Sequence, residues 1–295
     1  MIKKDRSFQI INTILLALVM LFCILPFILL ISSSFSNETA IIHEGYSLLP
    51  RKFDLTAYQY ILNGSNGILR SYVYSAAVTV LGTVGNLLIT VLYAYPISRN
   101  DLKGRSVFSF LLFFSILFNG GLIPTYMMWT NIFHIKNTFL AYIIPNLLVN
   151  GFYVIMARNF FSQNIPLAIL ESAKIDGAGE FRILWKIVIP MSKPILATLG
   201  LFVSLNYWND WQNGLYYVTK DSMYTIQVLL NRMLLDTLYM QQGMAKNMAS
   251  SIGASLPTAT LKMAIAVLGA LPVMIIFPFV SKYLTGGIVV GAVKG

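Results

Sequence analysis

Long stretches without a single charged side chain, separated by short polar connections, constrain this chain more than any other feature. Ile10 to Ile31, Tyr72 to Ser98, Val107 to Trp129 and Thr138 to Ala157 are free of Asp, Glu, Lys and Arg, and Met263 to Ser281 adds 19 more such residues. A run of about 20 apolar residues crosses the hydrocarbon layer as a helix, because a helix satisfies its own backbone polar groups without water. Pro194 to Trp208 is shorter and meets Asp210 just beyond its end. Counting it, the pattern predicts an all-α membrane protein with six transmembrane helices, one membrane domain over residues 1–295. The composition agrees: 57% of residues are hydrophobic and only 11% charged, against about 25% charged in a soluble domain.

The net charge of +10 does not point to nucleic acid, since the basic residues are scattered between apolar runs and line no single face. It reads as topology. The first run follows Lys3, Lys4 and Arg6 and is 22 residues long, too long for a signal-peptide core, so it is expected to remain as an anchor. With the N-terminus inside, the cytoplasmic pieces 1–9, 98–106, 158–193 and 282–295 hold 13 Lys and Arg in 68 residues. The outer pieces 32–70, 130–137 and 212–262 hold 8 in 98. That bias predicts an N-in, C-in arrangement. The lone Cys23 and the separate His43 and His134 offer no disulfide framework and no metal site, so no catalytic residue and no cofactor is expected in this chain.

Pro26, Pro96, Pro124, Pro145, Pro272 and Pro278 lie in or at the ends of the runs and are expected to kink them. Asn86, Asn146, Asn150 and Asn206 either line a polar path or hydrogen-bond neighbouring helices, the second being the commoner use of a buried amide. In the outer loop 212–262, Ile226, Leu229, Leu230, Met233 and Leu234 recur at helical spacing, which predicts an amphipathic helix that either caps the bundle or meets a partner.

The inner loop 158–193 reads IPLAILESAKIDGAGEFRILWKIVIP from Ile165 to Pro190. Pro166 suits the first turn of a helix, Glu171 and Lys174 can pair at i and i+3, and Gly177 after Asp176 suits a left-handed stop. Beyond Gly179, the spacing of Phe181, Leu184, Trp185 and Val188 predicts a second, amphipathic helix ending at Pro190. The two form an elbow.

Glu171-Ser172-Ala173, then Gly177, then Ile187 and Ile189-Pro190, resembles the Glu-Ala-Ala loop of ABC importer permeases, with Ser172 for Ala and Ile189 for Leu. The resemblance extends over nearly the whole chain, to the carbohydrate permeases typified by the second maltose-type permease and the lipoprotein-linked oligosaccharide permeases. Tyr95-Pro96-Ile97-Ser98-Arg99 with Lys103-Gly104-Arg105 resembles that family's loop between the second and third helices. Tyr207-Trp208-Asn209-Asp210 resembles its Trp-Asn-Asp signature, and Tyr224-Thr225-Ile226-Gln227 follows in the expected place. The ending Gly291-Ala292-Val293-Lys294-Gly295 resembles its Gly-Ala-Val-Lys-Gly tail.

The resemblance implies a multi-pass protein of a bacterial plasma membrane that works with four kinds of partner: a second homologous permease, a cytoplasmic ATPase dimer, an extracytoplasmic solute-binding protein and the lipid bilayer. It implies import of an oligosaccharide or modified glycan. Glu171, Ser172, Ala173, Lys174, Asp176, Gly177 and Gly179 would couple to the ATPase, and Gly291, Val293 and Lys294 would touch it from the tail. Asn206, Tyr207, Trp208, Asn209, Asp210 and Trp211 are the candidates for a substrate path. No Gly-x4-Gly-Lys-Ser/Thr phosphate loop is present, so ATP and Mg would be bound by the partner and this chain would not itself be an enzyme. Two other readings fit the topology: an ion-coupled secondary transporter, which has little to work with because Asp210 is the only acidic residue in or beside a predicted crossing, and a non-transporting scaffold, which leaves the elbow unexplained.

Overall fold

A computed structural model describes residues 6–64, 67–241 and 258–292. Among these the chain is helical, and the only strand-like pairing is an isolated antiparallel bridge between Ser36 and Phe53. Three helices, Phe8–Ser34, Ile68–Ser98 and Ala259–Ile276, are long and apolar enough to cross a membrane unbroken. Two bent pairs have the same length and apolar character together: Arg105–Leu117 with Leu122–Ile132, turned by 113°, and Glu180–Met191 with Lys193–Trp208, turned by 82°. The first bend falls at Asn119-Gly120-Gly121, where Gly121 has φ +83°, a conformation that glycine adopts without strain.

The expected crossing from Thr138 to Ala157 is not a continuous helix. A single turn, Leu140–Ile143, is followed by non-helical backbone, and the helix resumes as Gly151–Asn164. Pro145 has no N–H to give, Asn146 takes φ +62°, and Asn150 caps the new helix by accepting from the Phe152 and Tyr153 amides.

The described residues pack as two units. The first comprises the N-terminal segment to Ile68 together with Leu230–Pro272. Its Phe8–Ser34 helix buries none of its apolar span within the chain. The segment after it is tightly tied: Asn37 N–H donates to Lys52 C=O at 2.9 Å and Asp54 N–H to Phe35 C=O at 2.9 Å. The Asn37 amide donates to Asp54 at 2.8 Å, and Phe35 stacks on both Phe53 and Tyr58. Glu38 accepts from the Ala259 and Thr260 amides, each at 2.8 Å, placing a carboxylate at the N-terminus of the Thr258–Ala292 helix, where the helix dipole favours it. That helix runs on through Gly286-Gly287 to Ala292, farther than the glycine-rich tail suggests.

The second unit comprises Leu69–Leu229 and Val273–Gly295. One cluster of its core, including Val91, Ala94, Val154, Phe161, Leu170, Ile183, Val188 and Leu199, lies under the elbow. The other, including Val78, Tyr142, Val203, Tyr207 and Tyr217, lies around the interrupted segment 138–157. Helices Ile68–Ser98 and Lys193–Trp208 meet closely at Gly82, where an added Cβ would stand 2.5 Å from the Tyr207 ring. Replacing Gly82 by Ala should therefore destabilise the fold by about 1–3 kcal/mol through overpacking, read as a lower Tm in detergent; an unchanged Tm would show that the ring moves freely.

Candidate functional site: the elbow and the interrupted crossing

The first arm of the elbow is the helix Leu167–Ile175, and its stop is built as the sequence expects. Gly177 has φ +78°, its N–H donates to Lys174 C=O at 3.0 Å, and Ala178 N–H reaches back to Ala173 C=O at 2.9 Å. These two bonds make a Schellman stop, which needs a left-handed residue at that position. Nothing lies within 4 Å of where a Gly177 Cβ would stand, so backbone conformation alone selects glycine here. Leu170 is buried, Ala173 and Ala178 pack against the same cluster, and Glu171, Ser172, Asp176, Gly177 and Gly179 are exposed. Ile175 is 87% exposed.

The second arm departs from its expected face. Leu184 and Val188 are buried, but so is Ile183, while Phe181 and Trp185 are 74% and 54% exposed. The cause is a wide turn: residues Leu184–Val188 are π-helical, and Ile189 N–H bonds Leu184 C=O five residues back. This shifts the phase of the stripe. It also widens the register where Pro190 has no N–H to give, so the arm continues through Pro190 to Met191 and turns only at Ser192.

Lys174 does not pair with Glu171. It reaches Asp101 at 3.1 Å and Glu180 at 2.8 Å, two carboxylates on the inner side of the arm, whereas Glu171 forms no ion pair among the described residues. Arg99, almost wholly buried, binds Asp101 through two nitrogens at 3.0 and 2.7 Å and approaches Glu180 at 3.6 Å. The Tyr95 hydroxyl donates to Glu180 at 2.6 Å and accepts from Arg99 at 3.2 Å. The first arm, the second arm and the end of the Ile68–Ser98 helix are thus pinned by one cluster of two cations, two carboxylates and a phenol. Tyr95 and Arg99 are recognisable in sequence only as part of a resemblance; the joining of Asp101 to Lys174 and of Glu180 to Tyr95 carries no signal there, since these partners lie 73 and 85 residues apart. A cleft of about 320 Å³ opens beside the cluster, floored by Leu92, Pro96, Leu102, Phe181 and Leu184.

The six substrate-path candidates separate. Tyr207 is buried, and its hydroxyl donates to Ile143 C=O at 2.9 Å. Trp208 stacks on Tyr72 at 6.3 Å. Asp210 accepts from Asn213 N–H at 3.1 Å. Asn206, Asn209 and Trp211 keep exposed surface, with the Asn206 amide donating to Tyr153 at 2.9 Å. Sequence reasoning missed Asn213, whose amide donates to Pro145 C=O at 2.9 Å. Asn86 donates to Leu147 C=O at 2.6 Å, the helix-to-helix use of a buried amide. In the tail, Gly291 is helical, while Val293 and Lys294 lie outside the described residues.

Residues 101–289 match the family model described as the binding-protein-dependent transport system inner membrane component. The chain belongs to this family. The permease is 38% identical over 292 residues to the polygalacturonan/rhamnogalacturonan transport system permease protein YtcP of Bacillus subtilis, covering 99% of this chain and 100% of that protein. It is 34% identical to Protein LplC of the same organism, over 99% of this chain and 97% of the relative. Its structure matches a chain of a bacterial ABC transporter involved in the import of the acidic polysaccharide alginate, with TM-score 0.80 and 31% identity over 95% of this chain and 98% of that one.

The pinned cluster has a definite pH signature. Hydrogen bonds from Arg99 and then from Lys174 hold the Asp101 carboxyl down at about 2. Because that lies below the ordinary value of about 3.9, the stability it contributes is present above about pH 4 and is lost as pH falls toward 2. Asp101→Asn should therefore lower the Tm of the permease in detergent at pH 7, and the gap to wild type should close between pH 4 and 2; a gap that persists at pH 2 would mean that the charge is not what holds the arm.

Proposed function

We propose that this permease is one of two membrane subunits of a binding-protein-dependent ABC importer, moving an oligosaccharide or modified glycan into the bacterial cytoplasm while ATP is hydrolysed by a separate subunit. The observation that carries the reading is the elbow: a short arm with a hard stop, clamped on its inner side by Lys174 and offering Glu171, Ile175 and Asp176 outward. Such a lever transmits force from a partner without bending, because its tip is free and its base is tied to two other helices. The sugar follows from the relatives. Besides those already named, proteins for arabinooligosaccharide transport and melibiose/raffinose/stachyose import are similar at 25–27% identity.

In this reading there are six crossings with both termini inside, and the pairing of the ends supports the four between residues 70 and 221. Arg99 and Asp101 meet Lys174 and Glu180 at one end, whereas Arg70 donates to Asp221 C=O and Asn137 bonds Thr219 and Lys220 at the other. On this reading the chain crosses between these points each time, and the interrupted segment 138–157 counts as a crossing. The helix Ile226–Gln241 lies on the outer side in this arrangement, where a solute-binding protein delivers its cargo. Cysteines placed at Ser222 and Ile175, after Cys23→Ala, test it: an impermeant thiol reagent added to intact cells should label the first and spare the second, and the opposite pattern would invert the topology.

Glu171→Lys and Gly177→Val should insert in the membrane normally yet lose ATP-dependent uptake, the first by reversing the charge at the tip and the second by straining the φ +78° stop. The measurement is uptake by cells lacking this chain and complemented with each variant, across labelled neutral and acidic oligosaccharides, amino acids and peptides. Loss confined to amino acids or peptides would overturn the sugar assignment, and wild-type uptake by both variants would overturn the lever.

A further inference from the structure

Two apolar clefts of the second unit join. The one beside the pinned cluster shares Leu92 and Leu184 with another of about 220 Å³, which continues along the Ile68–Ser98 helix to Val84 and is walled on its far side by Trp185, Ile189 and Leu196. Together they form one groove between that helix and the second arm. Its lining on the Ile68–Ser98 helix runs from Pro96 back to Val84, about 18 Å at 1.5 Å per residue. One leaflet's half of the hydrocarbon layer is about 15 Å, so the groove has the length of a single leaflet. Phe181 and Trp185 line it and are largely exposed.

The chemistry changes along its length. From Leu92 to Val84 every lining residue is apolar. At the other end Tyr95, Arg99, Asp101 and Glu180 contribute polar atoms, but these are engaged with one another and with Lys174. Three more cations directly follow lining residues in sequence: Lys103 after Leu102, Arg182 after Phe181 and Lys186 after Trp185. All three are exposed, and none forms an ion pair among the described residues. The polar end of the groove therefore carries unanswered positive charge.

An occupant must suit both ends. A cytoplasmic protein meets the cations but does not reach the apolar part, which extends to the middle of the Ile68–Ser98 helix. An apolar helix of a second permease fits the apolar part and leaves the cations unmet. A phospholipid with an anionic headgroup satisfies both, and basic clefts between membrane helices suit such headgroups.

We propose that the groove is a binding site for an anionic phospholipid, with one acyl chain lying between Leu92 and Trp185 and the phosphate resting among Lys103, Arg182 and Lys186. Its place in the inner leaflet rests on the topology proposed above. The site itself does not.

The test is made on the transporter complex purified through this permease, in nanodiscs of phosphatidylcholine containing a small fraction of either phosphatidylglycerol or phosphatidylcholine brominated in its acyl chains. Bromine quenches a tryptophan that it touches, so Trp185 reports occupancy, and the quenching lost in Trp185→Phe is the part that belongs to the groove. At equal fraction, brominated phosphatidylglycerol should quench this part more strongly than brominated phosphatidylcholine. Each of Lys103→Gln, Arg182→Gln and Lys186→Gln should lower that preference by about fivefold and leave quenching by brominated phosphatidylcholine unchanged. Equal quenching by the two lipids overturns the proposal, as does a preference that survives all three substitutions. No quenching of Trp185 by either lipid means that a protein partner covers the groove, which overturns it equally. Both faces of a nanodisc carry the same lipid, so none of these outcomes depends on topology; an inverted topology shows only in the cysteine labelling at Ser222 and Ile175.

Discussion

A main-chain N–H or C=O inside the hydrocarbon layer must find its partner within the protein, because water is not there to supply one. Most of this permease meets that demand with helices. The interruption between Ile143 and Gly151 meets it with side chains, and three of the polar residues in otherwise apolar helices find their use there. Asn86, Tyr207 and Asn213 are therefore better understood as extensions of backbone hydrogen bonding than as a lining for sugar. Losing one would leave a buried carbonyl unpaired, which costs about 1–3 kcal/mol and more than the bond itself contributes in water.

The elbow solves a different problem, that of fixing two short helices to a bundle without stiff covalent links. Apolar contacts through Leu170, Ile183 and Val188 supply the adhesion, but such contacts have little direction and allow sliding. The cluster of Arg99, Asp101, Lys174, Glu180 and Tyr95 supplies direction, since the forked guanidinium on Asp101 admits one geometry. Lys174 then joins both arms of the elbow to that fixed point. The division of labour leaves the outward face of the first arm with no internal obligations.

Much of this was legible in the sequence, and the misses share a cause. The charge-free runs located the three unbroken apolar helices and the two bent pairs, and Asp176-Gly177 located the stop, because both are local properties of the chain. The interruption near Pro145 was legible only as a kink, since whether a proline bends or breaks a helix depends on whether distant donors wait for the freed carbonyls. The buried face of the second arm was assigned from a regular period of 3.6, and a π turn at Leu184–Val188 removed that regularity. Lys174 was expected to pair with Glu171 one helical turn back, but in space it reaches Asp101 and Glu180 instead. Two of these misses are places where long-range pairing overrode a local rule, the third is a change of helix type, and all lie in the elbow or in the broken segment.

With Asp101 and Glu180 ionised, the cluster at the base of the lever carries two positive and two negative charges and so has no net monopole. Anionic headgroups on the inner leaflet attract isolated basic side chains by about 1 kcal/mol each. Arg182 and Lys186, on the same arm and outside the cluster, are free to feel that pull. Arg99 and Lys174 are not, because their fields close on the carboxylates beside them. The cluster is thus electrically silent toward a charged membrane surface, and its grip on the two arms should hold when lipid charge or ionic strength varies.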